Sequence, residues 1–268
     1  MWKFPALLLA LASLAPGLAS AVEVKSVRST YGGFAGATRP DTKYLPGDVL
    51  FLEYELRGLM VGEKTGTVSY YSVLEFFDSS GKSISEKKNP KQELVLQLGG
   101  NSVPGDLNAV MGDNQPPGKY KLKLTVYDNN DKSGKPAVLE YPFELLPKSF
   151  GVVQVVAPAF GVAGGNHLLQ FALVNMPLDD KTGDPNVDIT FRVVEESSKK
   201  EVAKPVYMSF PKDLPDEVNL KKQNLAPVQF PMYLNRPGRF LVNVEIAEKL
   251  KKTPPLKLQF PVNVIELK

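Results

Sequence analysis

Cysteine is absent from this 268-residue sequence, and histidine and tryptophan occur once each. Without thiols there is no disulfide stapling and no lipid-modified cysteine, and a chain of this size can bury an adequate core without staples. With His167 as the sole imidazole and no cysteine, the common zinc constellations are excluded. A Ser-His-Asp system would have to use His167, yet no G-x-S-x-G elbow occurs. A structural histidine at the start of the strand LLQFAL is therefore expected. The N-x-S/T pattern is also missing, so no glycan acceptor is present.

Excess charge is scarce too. Thirty-two basic residues face 29 acidic ones, for a net charge of +3. The basic clusters Lys87-Lys88, Lys199-Lys200 and Lys251-Lys252 are short, and no aromatic residues interleave with them to stack bases. Nucleic acid is not an expected partner.

The first residues read as an export signal. Lys3 gives the positive start, Ala6 to Ala15 form the apolar stretch, and Ala19-Ser20-Ala21 offers a small-x-small cleavage site. Residues 1–21 are thus predicted to leave, with a mature chain beginning near Val22 in the periplasm or outside the cell. No later run approaches about twenty apolar residues, so no membrane span is expected in the mature chain. Trp2 would leave with the leader, which removes the strongest sugar-stacking side chain.

What the sequence does contain is a repeat. PGKYKLKLTVYD (117–128) returns as PGRFLVNVEIAE (237–248), an offset of 120. LEYEL (52–56) matches LQFAL (169–173), and LEFFDSSGK (74–82) matches FRVVEESSK (191–199), both at an offset of 117. LEYPFELL (139–146) matches LQFPVNVI (258–265) at 119. Within the first pair, Tyr120, Leu122, Leu124 and Val126 alternate with polar residues, as Phe240, Val242, Val244 and Ile246 do largely in the second. That is the period of a strand with one buried face. Pro-Gly marks a turn before each. Pro142 and Pro261 suggest an edge or bulge in each last strand.

These correspondences predict an all-β protein of two tandem immunoglobulin-like antiparallel β-sandwich domains, residues 22–147 and 150–268, joined at Pro147-Lys148-Ser149. In the first, strands are expected near 23–29, 49–57, 68–77, 92–98, 107–111, 119–127 and 137–146. In the second they are expected near 151–157, 167–175, 186–194, 204–209, 227–233, 239–247 and 256–265.

PGKYKLKLTVYD resembles the penultimate strand of immunoglobulin-like, fibronectin-like and PKD-like sandwiches, with Tyr120 in the place of their strand-start aromatic. Phe240 lacks the hydroxyl, so the resemblance implies no tyrosine corner in the second copy. The order LPGDVLFLEYEL, LEFFDSSGK, PGKYKLKLTVYD, LEYPFELL also resembles exported tandem-sandwich proteins of planctomycete bacteria. The resemblance implies a fold and no catalytic residue.

Among chemical candidates, Asp179, Asp180, Asp184 and Asp188 form an acidic patch whose hard oxygens suit calcium, and Asp128, Asn129, Asn130 and Asp131 form a second. Neither has EF-hand spacing, and Asp and Asn are ordinary turn formers. The carboxylates Glu53, Glu55, Glu140 and Glu144 are expected on solvent-facing positions rather than as a glycosidase pair. YGGFAG (31–36) and PAFGVAGG (158–165) lack the phosphate-loop spacing and are expected to be turns. No enzyme and no cofactor is expected beyond that possible calcium.

The expected function is binding or structural support at the cell envelope, with an envelope or extracellular protein as partner and polysaccharide second, through Tyr31, Tyr44, Tyr70 or Tyr71. A periplasmic subunit chaperone is the other alternative. Segments 30–47, 158–166 and 176–186 are the expected recognition loops.

Overall fold

The computed structural model describes residues 21–215, 218–220, 224–251 and 253–267, so the predicted leader lies outside the described residues apart from Ala21. Alternation is realised as strand throughout the repeat. In Gly118–Asp128 (β9), Tyr120, Leu122, Leu124 and Val126 are buried, and in Gly238–Glu248 (β17) Phe240, Val242, Val244 and Ile246 are buried.

In chain order the first half forms β1 (Glu23–Tyr31), β2 (Ala37–Thr38), β3 (Lys43–Tyr44), β4 (Val49–Arg57), β5 (Thr67–Phe77), β6 (Ser83–Lys88), β7 (Gln92–Val95), β8 (Val103–Val110), β9 and β10 (Ala137–Leu145). The second half forms β11 (Gly151–Val156), β12 (Phe160–Val162), β13 (Asn166–Val174), β14 (Val187–Glu195), β15 (Val206–Phe210), β16 (Leu225–Tyr233), β17 and β18 (Leu256–Ile265). The first half makes one sheet ordered β2-β1-β4-β8 and another ordered β3-β10-β9-β5-β6, with β7 also on β5. The second half repeats the plan as β11-β13-β16 and β12-β18-β17-β14-β15.

The chain is therefore all-β, with mixed as well as antiparallel sheets. The expectation of purely antiparallel sheets is corrected by β3 and β12, which pair parallel to β10 and β18. Each is two or three residues long, too short to leave a two-residue period in the sequence. The same shortness hid β2. SISEKK of β6 was missed because all six of its residues are exposed, leaving no apolar face to read.

Register is repeated as well as order. Leu74 faces Leu124, which faces Leu139; in the second half Phe191 faces Val244, which faces Leu258. Both first strands carry a bulge at the same place, with Ser26 and Gln154 at φ 53° and 54°. Pro117-Gly118 and Pro237-Gly238 open equivalent strands.

Each half has a core drawn from both of its sheets. Leu50, Leu52, Leu122 and Leu124 are among the side chains that fill the first, and Phe171, Phe191, Val244 and Phe260 the second. Burying each such side chain stabilises the fold by about 1.5–3 kcal/mol. Tyr31 and Ala37 of the first half enter the second core, where Tyr31 meets Phe260 edge-on at 5.4 Å.

The halves are tied at several points. The Ala37 amide donates to the Ala157 carbonyl at 2.7 Å, that of Ala157 to Tyr31 at 3.1 Å, and that of Ala159 to Ala35 at 2.7 Å. Asp48, only 2% exposed, accepts from Arg39 Nη1 (2.8 Å) through one oxygen, and from the amides of Val49 (2.8 Å) and Gln154 (2.9 Å) through the other. Gln154, which donates the last of these bonds, lies in the β11 bulge. Arg39 in turn lies over the rings of Tyr44 (4.0 Å) and Tyr31 (5.4 Å). Burial works against its charge, but Asp48 and the two tyrosines outweigh that and raise its pKa. Close approach at the seam also needs small residues: a Cβ on Gly151 would lie 2.3 Å from Leu45, and one on Gly32 (φ 97°) would lie 2.8 Å from Val156.

Candidate functional site

The predicted chemical residues lie in structural roles. Asp179 accepts the amides of Lys181 (2.9 Å) and Thr182 (3.0 Å), which hold its pKa below the ordinary carboxylate value. Asp184 closes the same loop through its carbonyl, which accepts from the Asp179 amide. Asp180 sits beside them in this loop, whereas Asp188 is on β14, bound to Lys249 and to Ser209 Oγ (2.8 Å), which depress its pKa. Among the described residues no three His, Cys, Asp or Glu side chains are grouped so as to hold a metal. In the second acidic stretch, Asp128 accepts the amides of Met60 (2.7 Å) and Asn130 (2.9 Å), while Asn130 donates to the carbonyls of Met60 and Thr67. These side chains pin the β4–β5 loop.

His167 is buried opposite Met232, and burial lowers its pKa. Glu53 departs from expectation. It lies on the outward face of β4, yet it is only 6% exposed because Arg28 lies against it, with Nε 2.7 Å from Oε2.

Two of the three expected recognition loops are occupied at the seam. Residues 30–47 include Tyr31, Ala35, Ala37 and Arg39, and Pro158 in segment 158–166 bridges to Gly36. Both glycine-rich stretches serve this packing. Segment 176–186 is a surface loop closed by a Leu178–Pro185 bridge. Of the four tyrosines put forward for sugar contact, Tyr31 and Tyr44 are buried, and Tyr71 stacks on Tyr127 with Lys88 over it, 4.6 Å from its centroid.

Sequence reasoning passed over a cleft in the second half. A cavity of about 510 Å³ opens where the loop entering β15 faces the turn between β16 and β17. Phe191, Phe230 and Phe240 lie at its base, with Phe191 stacked on Phe230 at 4.3 Å. Leu234 and Val206 form walls, and Lys204, Tyr233 and Arg236 stand at the rim. Arg236 lies over the Phe240 ring at 4.9 Å and is held by Glu195 at 3.1 Å. Around the mouth, Val206 is 45% exposed and Tyr233 66%, while Tyr207, on the opposite face of β15, is 67% exposed. The readable signal was the contrast between VYMSF and SISEKK at equivalent places in the repeat. The described residues that line this cleft offer apolar contact with a cationic rim.

No protein-family model matches the chain, and no curated protein matches it. Solved structures to which it is similar include a family 123 glycoside hydrolase from Clostridium perfringens (12% identity, TM-score 0.34, 50% of this chain and 28% of that one). Another is the alkylpurine DNA glycosylase AlkC of Pseudomonas fluorescens bound to DNA containing an abasic site analog (14%, 0.32, 47% and 30%). A third is the C-terminal domain of the Streptococcus agalactiae AgI/II polypeptide BspA (9%, 0.30, 88% and 99%). The chain spans less than a third of the first two of these, and likenesses at this level carry no functional argument.

Proposed function

We propose that this is a non-catalytic, exported binding protein of the cell envelope, built as two tandem immunoglobulin-like sandwiches, that recognises a protein partner. Several features support the tandem reading. Strand order, register and the first-strand bulge recur in both halves. The Tyr120 hydroxyl donates to the Pro116 carbonyl at 2.6 Å, in the manner of a tyrosine corner.

The observation that carries the binding reading is the exposed apolar mouth formed by Val206 and Tyr233 above the aromatic base of the second-half cleft. Exposed apolar surface rimmed by polar groups marks interaction sites. Aromatic anchors in such recesses carry much of a protein interface's energy. The test is capture from an envelope fraction by the exported chain and by its Val206→Lys/Tyr207→Glu variant. A partner retained by the first and lost by the second supports the reading. Equal capture by both places recognition elsewhere.

A further inference from the structure

We infer that the second-half cleft takes an extended partner segment in which an apolar residue is flanked by acidic ones. This rests on the protein-binding reading above and specifies what is bound.

Three features converge. The first is the aromatic base, Phe191, Phe230 and Phe240, which sits in a recess sized for side chains rather than a flat patch. The second is backbone. β15 ends its sheet, and the outward amide and carbonyl of Ser209 are already taken by Asp213, through Oδ2 at 2.7 Å and its amide at 2.8 Å. Alternation turns the groups of Tyr207 to the same side, where no further strand pairs among the described residues. An extended segment would pair there while its next side chain enters the recess.

The third feature is charge. Arg192 and Arg236 are matched by Glu201 and Glu195. Lys204 stands at the rim, and Lys199 and Lys200 are exposed at the tip of the hairpin that carries it; none of the three makes an ion pair among the described residues. A segment carrying Asp or Glu beside its apolar anchor meets this rim favourably. A second copy of this chain, paired edge to edge across β15, would instead bring like charges together. Exposed pairs each contribute little affinity, so the anchor supplies the strength and the lysines select the partner.

The experiment selects a displayed library of random short peptides on the exported chain. Binding of the enriched peptides is then measured by fluorescence anisotropy to the native chain, to Val206→Lys, and to Lys199→Glu/Lys200→Glu/Lys204→Glu. The expected result is enrichment of apolar residues flanked by Asp or Glu, binding lost in Val206→Lys, and at least about tenfold weaker binding after charge reversal, a change of about 1.4 kcal/mol. Affinity should also fall with added salt. Should Val206→Lys fail to fold by circular dichroism, Tyr233→Lys, at the rim of the same recess, takes its place.

Peptides lost in Val206→Lys but indifferent to charge reversal overturn the acidic segment and leave the binding module standing. Selection of no peptide sensitive to Val206→Lys overturns both. A dimer in sedimentation that Val206→Lys dissociates makes a second copy the occupant and overturns the inference.

Discussion

At the outer edge of its larger sheet, the first half places β6, whose Lys87 faces Leu74 and whose residues are all exposed. At the same place the second half puts β15, whose Val206 faces Phe191 and whose last residue, Phe210, is buried. Charge on an edge strand discourages pairing with another chain, and SISEKK supplies it. VYMSF does not; among the described residues its outward backbone groups are covered only by the Asp213 turn over Ser209. The two halves share one architecture, and the difference falls where a partner would meet it. Folding explains what they share, and the proposed partner would lie at the edge where they differ.

The largest way to sharpen this comparison is to remove Asp48, which belongs to the seam and not to either edge. Asp48→Ala removes the buried carboxylate on which Arg39 and the Val49 and Gln154 amides converge, leaving Arg39 only the 3.4 Å pair with Asp41 and the Lys43 carbonyl, and should cost about 3–5 kcal/mol, read as a lower urea midpoint. The mirror experiment in the second half, Glu201→Ala, removes an exposed ion pair with Arg192 and should leave the midpoint nearly unchanged. Similar losses in both would mean that the seam is no stronger than a surface pair.

A smaller effect separates the two turns. Tyr120→Phe removes the bond to Pro116 and should destabilise by about 1 kcal/mol. Phe240→Tyr places a hydroxyl at the matching site, four residues after Arg236, and should stabilise by up to about 1 kcal/mol. If Phe240→Tyr destabilises as much as Tyr120→Phe, the two turns are not equivalent.

The halves should also differ in acid. Burial lowers the His167 pKa in the folded chain, so below about pH 6.5 the unfolded chain takes up a proton that the folded chain does not. Stability from this group is complete above that pH and falls as pH drops toward the folded pKa. Thermal unfolding between about pH 7 and 5 should show the second half weakening first. A His167→Gln variant should show a flatter profile. The smallest effect is at β15: Val206→Lys and Tyr207→Glu sit on exposed positions and should change stability by no more than about 0.5 kcal/mol.

Much of the fold was legible because a half-buried strand writes its period into the sequence. Tyr120 to Val126 and Phe240 to Ile246 were readable as strands with one inward face, and the near-constant offsets exposed the repeat. What escaped were elements with no such face. β6 is wholly exposed, while β2, β3 and β12 are two or three residues long. The site was less legible than the fold. Its base is made of Phe191, Phe230 and Phe240, which in sequence look like any other core residues, and only strand pairing reveals that an opening lies above them. Glu53 teaches the converse: its alternation put it on an outward face, but Arg28 covers it. Facing outward and meeting water are different properties.

The most direct measurement of the central claim is parallel capture from an envelope fraction by three forms of the chain from Val22 onward. These are the native chain, the chain with Val206→Lys/Tyr207→Glu in β15, and the chain with Glu86→Ala/Lys87→Ala in β6. The account predicts that the β6 form keeps the native partner and the β15 form loses it, with both forms folded. Loss through β6 with retention through β15 would contradict it.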